Sequence, residues 1–193
     1  MKCIILAAGE GIRMKPLTNN IPKPMLKVAG KPILEHILNS MPDKVNQVIL
    51  VVGYLRQQIQ EYFGNNFGRI KINYVVQNGK LGTYHALELC KDMLDEDEKF
   101  IVTYADDLHG VENFKKCAES KNCSILTLEA QDPSKFGVVE VDNSGAVVGI
   151  EEKPKNPKSN LVSTGVLVLD KNIFNYPANK HTNGEYYLTD SIG

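Results

Sequence analysis

Arg13, Lys15 and Lys23 stand within a few residues of Gly9 and Gly11, directly after the short apolar run Cys3–Ala7. Six basic residues (Lys2, Arg13, Lys15, Lys23, Lys27, Lys31) accompany one acid, Glu10, over this opening stretch. A loop that leaves a strand through small residues exposes backbone N–H groups, which suit phosphate oxygens. Guanidinium and ammonium groups beside it favour a polyphosphate over a carbonyl or a base edge. The chemistry expected of this segment is the handling of a nucleoside triphosphate.

Several other chemistries are excluded. Gly9-Glu10-Gly11 begins like the dinucleotide fingerprint G-x-G-x-x-G, but Met14 occupies the third position, so a nicotinamide-dependent dehydrogenase is not expected. The phosphate loop G-x-x-x-x-G-K-[ST] is absent, and no Ser-His-Asp or Cys-His arrangement stands out. The four cysteines, Cys3, Cys90, Cys117 and Cys123, form no CxxC pair and no zinc spacing. They read as free thiols of a reducing, cytoplasmic setting. A net charge of -1 gives no bulk attraction to nucleic acid or to an anionic membrane. The apolar stretch after Lys2 is too short for a signal-peptide core, and no apolar run reaches membrane-spanning length.

The elements that must position these residues follow from the pattern. Strands are expected at Cys3–Ala7, Val48–Val52, Ile72–Val76, Phe100–Tyr104 and Ser124–Leu128. Helical spacing separates them at Pro32–Met41, from Leu55 to a stop at Gly64, at Tyr84–Leu94 and at Glu112–Glu119. This alternation predicts a mainly parallel sheet covered on both faces. Beyond it, Val138–Val141 and Val147–Ile150 flank the turn Asp142–Gly145 as a hairpin, Val166–Leu169 is a further strand, and the last residues resemble the start of a helix. At 193 residues one domain is expected. Its residues 1–130 would form one half and 131–193 a second, apparently truncated half.

The longer pattern is more specific. Leu6-Ala7-Ala8-Gly9-x-Gly11-x-Arg13-Met14-x-Pro16-Leu17-Thr18, then Pro22-Lys23-Pro24 and Gly30-Lys31-Pro32, resembles the sugar-1-phosphate nucleotidyltransferases, which make nucleotide sugars. Gln77, Leu81-Gly82-Thr83 and Ala86 are similar to the family's base-recognition segment, and Tyr104-Ala105-Asp106 to its metal-bearing strand end. Phe136-Gly137, Glu151-Glu152-Lys153-Pro154 and Ser163-Thr164-Gly165 resemble its sugar-binding half, and Gly184-Glu185 with Leu188-Thr189-Asp190 a further family stretch.

The resemblance implies a Rossmann-like mixed α/β sheet of the nucleotide-diphospho-sugar transferase type. It implies transfer of a nucleotidyl group from UTP or dTTP to a sugar-1-phosphate, with Mg²⁺ as cofactor. Arg13 would clamp the outer phosphates, and Lys23, stiffened by its flanking prolines, would face the α-phosphate. Leu6, Ala7, Ala8, Gly9, Gly11, Gln77, Gly82 and Thr83 would bind nucleotide, with Gly82 letting backbone approach the base. Asp106 would hold the metal, while Asp107 is either an alternative ligand or a cap for the next helix. Gly137, Glu152, Lys153, Ser163 and Thr164 would bind the sugar phosphate. His85 and His36 read as structural residues. The substrates would be small molecules, with no nucleic acid or membrane partner; association of identical copies is left open.

Two departures carry expectations of their own. Ile12 stands where the family carries Thr or Ser, so triphosphate binding there is expected to be weaker or to use backbone alone. Family members draw a second metal ligand from further downstream than Gly193. The alternative reading is therefore a catalytically silent relative that binds nucleotide sugar as a sensor or regulatory subunit.

Overall fold

The strand β1 (Lys2–Ala7) has parallel neighbours on both sides, β4 (Gln47–Val52) and β7 (Phe100–Tyr104). Both of its faces are covered, and Cys3, Ile4 and Ile5 are fully buried. A strand sealed on both faces has no solvent side to alternate with, which explains its unbroken apolar run. β6 (Ile70–Val76) continues the parallel set beyond β4. The registers Ala7↔Val52, Val52↔Val76 and Leu6↔Tyr104 bring the C-terminal ends of all four strands to one edge. That edge of an open α/β sheet is where ligand groups collect.

The structure, a computed structural model, describes residues 1–192. Antiparallel strands extend the sheet at both ends. β5 (Asn66–Phe67) pairs with β6, and β11 (Leu161–Leu169) pairs with β7. The hairpin of β9 (Gly137–Val141) and β10 (Val147–Glu152) lies beyond β11. Its turn is held by Asp142 Oδ1, which accepts from the N–H groups of Ser144 and Ala146 at 2.8 and 3.0 Å. A separate ribbon joins β2 (Lys27–Val28) to β3 (Lys31–Pro32).

Helices cover both faces, as expected for the mixed α/β class. On one face α1 (Ile33–Asn39), α2 (Arg56–Phe63) and α4 (Val111–Glu119) pack Leu34, Ile37, Ile59, Phe63 and Phe114 against the sheet. On the other, α3 (Gly82–Glu88) buries Tyr84, Ala86 and Leu87 together with Ile173 and Leu188. No helix among the described residues is long and apolar enough to cross a membrane.

Three elements differ from expectation. The strand β8 (Ser124–Glu129) leaves the alternating parallel series and runs antiparallel to β11, because β11 already occupies the free edge of β7. β11 begins at Leu161, ahead of the expected Val166–Leu169, because its first residues pair with β8 and β9. Its pairing with β8 shifts between Ser163 and Leu167, around Gly165 at φ 84°. Finally, the helix expected to Leu94 stops at Glu88, and Lys91–Met93 forms a separate 3-10 turn. Lys2 Nζ donates to the Met93 carbonyl at 2.7 Å and pairs with Asp95 at the same distance, which satisfies the end of that turn.

Candidate active site

At the shared strand edge lies a cleft of about 1080 Å³. Leu6, Ala7, Ala8, Gly9, Gly11, Arg13, Lys23, Gln77, Gly82, Thr83 and Asp106 all line it. It is large enough for a ligand of nucleotide size. Of the six N-terminal basic residues, Arg13 and Lys23 line the cleft, whereas Lys2 sits at the opposite end of β1, against Met93 and Asp95.

Gly11 is the hinge of the first loop, with φ 62°. A Cβ there would come within 2.9 Å of Thr18 Cγ2 and 3.2 Å of Lys23 Cβ. Thr18, fully buried, donates its hydroxyl to the Gly11 carbonyl at 2.8 Å. This hook sets the 3-10 turn Ile12–Met14 beside the turn Lys23–Met25, so that Arg13 and Lys23 share one wall. Ile12, which stands where the resemblance places Thr or Ser, is 53% exposed and lines the cleft.

Lys23 forms an ion pair with Asp106, which follows the end of β7. The next residue, Asp107, has its carboxyl pushed up to about 6, first by burial and then by the Asp106 charge, against a lowering from Lys23. Two adjacent carboxylates with an ammonium beside them fit a divalent cation chemically, since a positive charge already occupies that position. Among the described residues no third His, Cys, Asp or Glu joins them, so phosphate oxygens would have to complete a coordination shell. Asp107 does not cap the following helix, because α4 begins at Val111 with Gly110 as its N-cap.

On the opposite wall, Gln77 Nε2 donates to the Gly82 carbonyl at 3.0 Å and lies 3.1 Å from His85 Nδ1. Gly82 has φ 88°, and a Cβ on it would fall 2.3 Å from the Tyr186 carbonyl oxygen. The Cβ side of Gly82 is thus occupied by the Tyr186 main chain, held by Tyr84 N–H to Tyr186 O and Tyr186 N–H to Leu81 O, both 3.0 Å, while Gly82 still lines the cleft. Thr83 Oγ1 accepts from the Leu188 N–H at 2.9 Å. Segment 186–188 therefore braces this wall, and Glu185 lines the cleft beside it. A salt bridge of 3.0 Å between Lys80 and Glu10 spans the two cleft-lining loops.

The residues expected to bind sugar sit outside the lining of this cleft. Gly137 and Glu152 are register partners in the hairpin, and Glu152 pairs with Lys153 at 2.9 Å. Lys153 adopts φ 47°, an uncommon conformation for a side-chain-bearing residue. Ser163 Oγ accepts from the Gly165 N–H at 3.2 Å, and Thr164 donates its hydroxyl to the Leu126 carbonyl at 2.9 Å. Both hydroxyls thus serve the bend of β11. His36 is structural, with Nε2 2.7 Å from the Val28 carbonyl.

Tyr104 links the two groups. Its hydroxyl is pushed up to about 12 by burial, then by Glu152, with Asp107 and Asp106 adding to the rise and a hydrogen bond to Thr83 opposing it. A Cβ on Gly165 would meet the Tyr104 ring at 2.5 Å, so the bend of β11 closes directly onto it. Sequence pattern marks Tyr104 only as a strand end; its contacts come from residues distant in the chain.

A family model described as nucleotidyl transferase matches residues 2–192. The chain belongs to that family. Bifunctional protein GlmU of Methanocaldococcus jannaschii is 38% identical over 197 residues, covering all of this chain and 46% of that protein. UTP--glucose-1-phosphate uridylyltransferase AglF of Haloferax volcanii is 32% identical over 204 residues, covering all of this chain and 82% of that protein. The chain spans about half the length of the GlmU proteins it matches. A UDP-glucose pyrophosphorylase solved with UDP-glucose superposes with a TM-score of 0.86 at 24% identity, over 98% of this chain and 84% of that one, which establishes the shared fold.

Proposed function

We propose that the chain transfers a nucleotidyl group from UTP or dTTP to a sugar-1-phosphate, forming a nucleotide sugar and pyrophosphate. The observation that carries this reading is the convergence of Arg13, Lys23, Gln77 and Asp106, from four separate segments, on one cleft. The GlmU and uridylyltransferase relatives, at 38% and 32% identity, support it.

The sugar-1-phosphate brings its own anionic nucleophile, so no general base is required. One of its oxygens forms a bond to the α-phosphorus as the bond from that phosphorus to the bridging oxygen breaks, and the electron pair leaves with pyrophosphate. Arg13 binds the outer phosphates through a two-pronged guanidinium contact. Lys23 shifts from Asp106 toward the α-phosphate and offsets the charge that builds there. Asp106, with Asp107 beside it, would hold Mg²⁺, which would supply further neutralisation of phosphate charge. Leu6, Ala7, Ala8, Gly9 and Gly11 form the floor under the nucleotide, and Gln77, Gly82 and Thr83 the wall at its base. Glu152 accepts from sugar hydroxyls, Lys153 meets the sugar phosphate, Gly137 leaves room for the ring, and Ser163 and Thr164 shape that side. Residues 1–130 act as the nucleotide half and 131–193 as the sugar half. The four free thiols suit a cytoplasmic setting.

Pyrophosphate release with Mg²⁺ tests the proposal, using UTP, dTTP, CTP, GTP and ATP against a panel of sugar-1-phosphates. Release with UTP or dTTP and one sugar is expected. A flat response with nucleotide-sugar binding retained would replace the proposal with a silent, ligand-sensing relative.

A further inference from the structure

His85 is used by none of the chemistry above. It lies on α3, and its Nδ1 stands 3.1 Å from the Gln77 amide nitrogen. The same nitrogen donates to the Gly82 carbonyl at 3.0 Å. A backbone carbonyl only accepts, so the amide must turn its nitrogen, not its oxygen, toward Gly82. That nitrogen carries two hydrogens, and the two acceptors use both. Nδ1 accepts only in the neutral ring with its proton on Nε2. The remaining polar atom, Gln77 Oε1, has no donor partner among the described residues, and Gln77, 8% exposed, opens on the cleft.

We propose that His85 is a positioning residue: together with the Gly82 carbonyl it locks the Gln77 amide so that only an acceptor faces the nucleotide base. This rests on the reading of the cleft as a nucleoside triphosphate site. A base with a ring N–H at that edge, as in uracil and thymine, is then matched. Cytosine sets a ring-nitrogen lone pair against Oε1 and is rejected. Without His85 one amide hydrogen is left unpaired in a nearly sealed site, and the restraint against amide rotation is halved. The rotated amide would offer its donors to cytosine.

The test compares wild type, His85→Phe and His85→Asn by kcat/KM for UTP and CTP, and by equilibrium binding of the same two nucleotides. His85→Leu replaces the Phe variant if that one fails to fold. Wild type is expected to favour UTP by at least about a hundredfold. His85→Phe narrows the preference by about tenfold, chiefly through KM for nucleotide. His85→Asn, whose Oδ1 takes the place of Nδ1 as acceptor, holds it within about threefold of wild type. An unchanged ratio in His85→Phe, or equal loss in both variants, overturns the inference. Equal wild-type binding of UTP and CTP overturns it as well. Absent transfer with the binding preference and its His85 dependence intact overturns the proposed activity alone.

Discussion

Replacing Gly82 by Ala isolates the brace between α3 and segment 186–188. The new methyl would sit 2.3 Å from Tyr186 O and 2.6 Å from Tyr186 N, both backbone atoms that cannot rotate away. The left-handed conformation at φ 88° adds about 1–2 kcal/mol for any L-residue. Relief of the overlap must part the two 3.0 Å bonds joining Tyr186 to Leu81 and Tyr84, each contributing about 0.5–1.5 kcal/mol. It also loosens Leu188, which is 1% exposed. A total loss of about 3–5 kcal/mol follows, a fall in Tm of roughly 10 °C for a chain of this size. Gly79 is the internal control. Its φ is also 88°, but nothing lies within 4 Å of its Cβ position, so Gly79→Ala should lose only the conformational part, about 1–2 kcal/mol. Thermal denaturation by circular dichroism reads both variants, and amide exchange at Tyr186 and Leu188 locates the damage. Equal melting of the two variants, within a degree or so, would refute the packing argument.

Lys23→Met leaves Asp106 and Asp107 without the ammonium now beside them. Mn²⁺ binding without nucleotide, followed by electron paramagnetic resonance, should therefore tighten several-fold while transfer falls by about a hundredfold or more. Unchanged or weaker Mn²⁺ binding would show that the two carboxylates are not the cation site. Arg13→Met should raise KM for the nucleotide and Lys153→Met that for the sugar phosphate, each leaving the other KM within about twofold; steady-state kinetics with one substrate varied at a time separates them. Phe114 is fully buried on α4, and Phe114→Ala should lower stability in urea by about 3–5 kcal/mol.

Sequence pattern shows the central strands because burial on both faces makes each a continuous apolar run, as Val48–Val52 at 0% exposure illustrates. It shows the first loop as well, since Gly11, Arg13 and Lys23 lie close in the chain and meet in space. What it cannot show depends on distant partners. The direction of β8 is set by β11, some forty residues later. The gap at Gly82 belongs to Tyr186, and the hydroxyls of Ser163 and Thr164 are drawn into the bend of β11. His85 reads as an ordinary helix residue until Gln77 is seen across from it.

The central claim is nucleotidyl transfer, and phosphorus NMR of one reaction mixture tests it most directly. UTP or dTTP, the sugar-1-phosphate selected by the release panel, Mg²⁺ and the protein should yield a nucleotide sugar and pyrophosphate in equal amounts, with no free orthophosphate. Orthophosphate with nucleoside diphosphate, or pyrophosphate without nucleotide sugar, would contradict it.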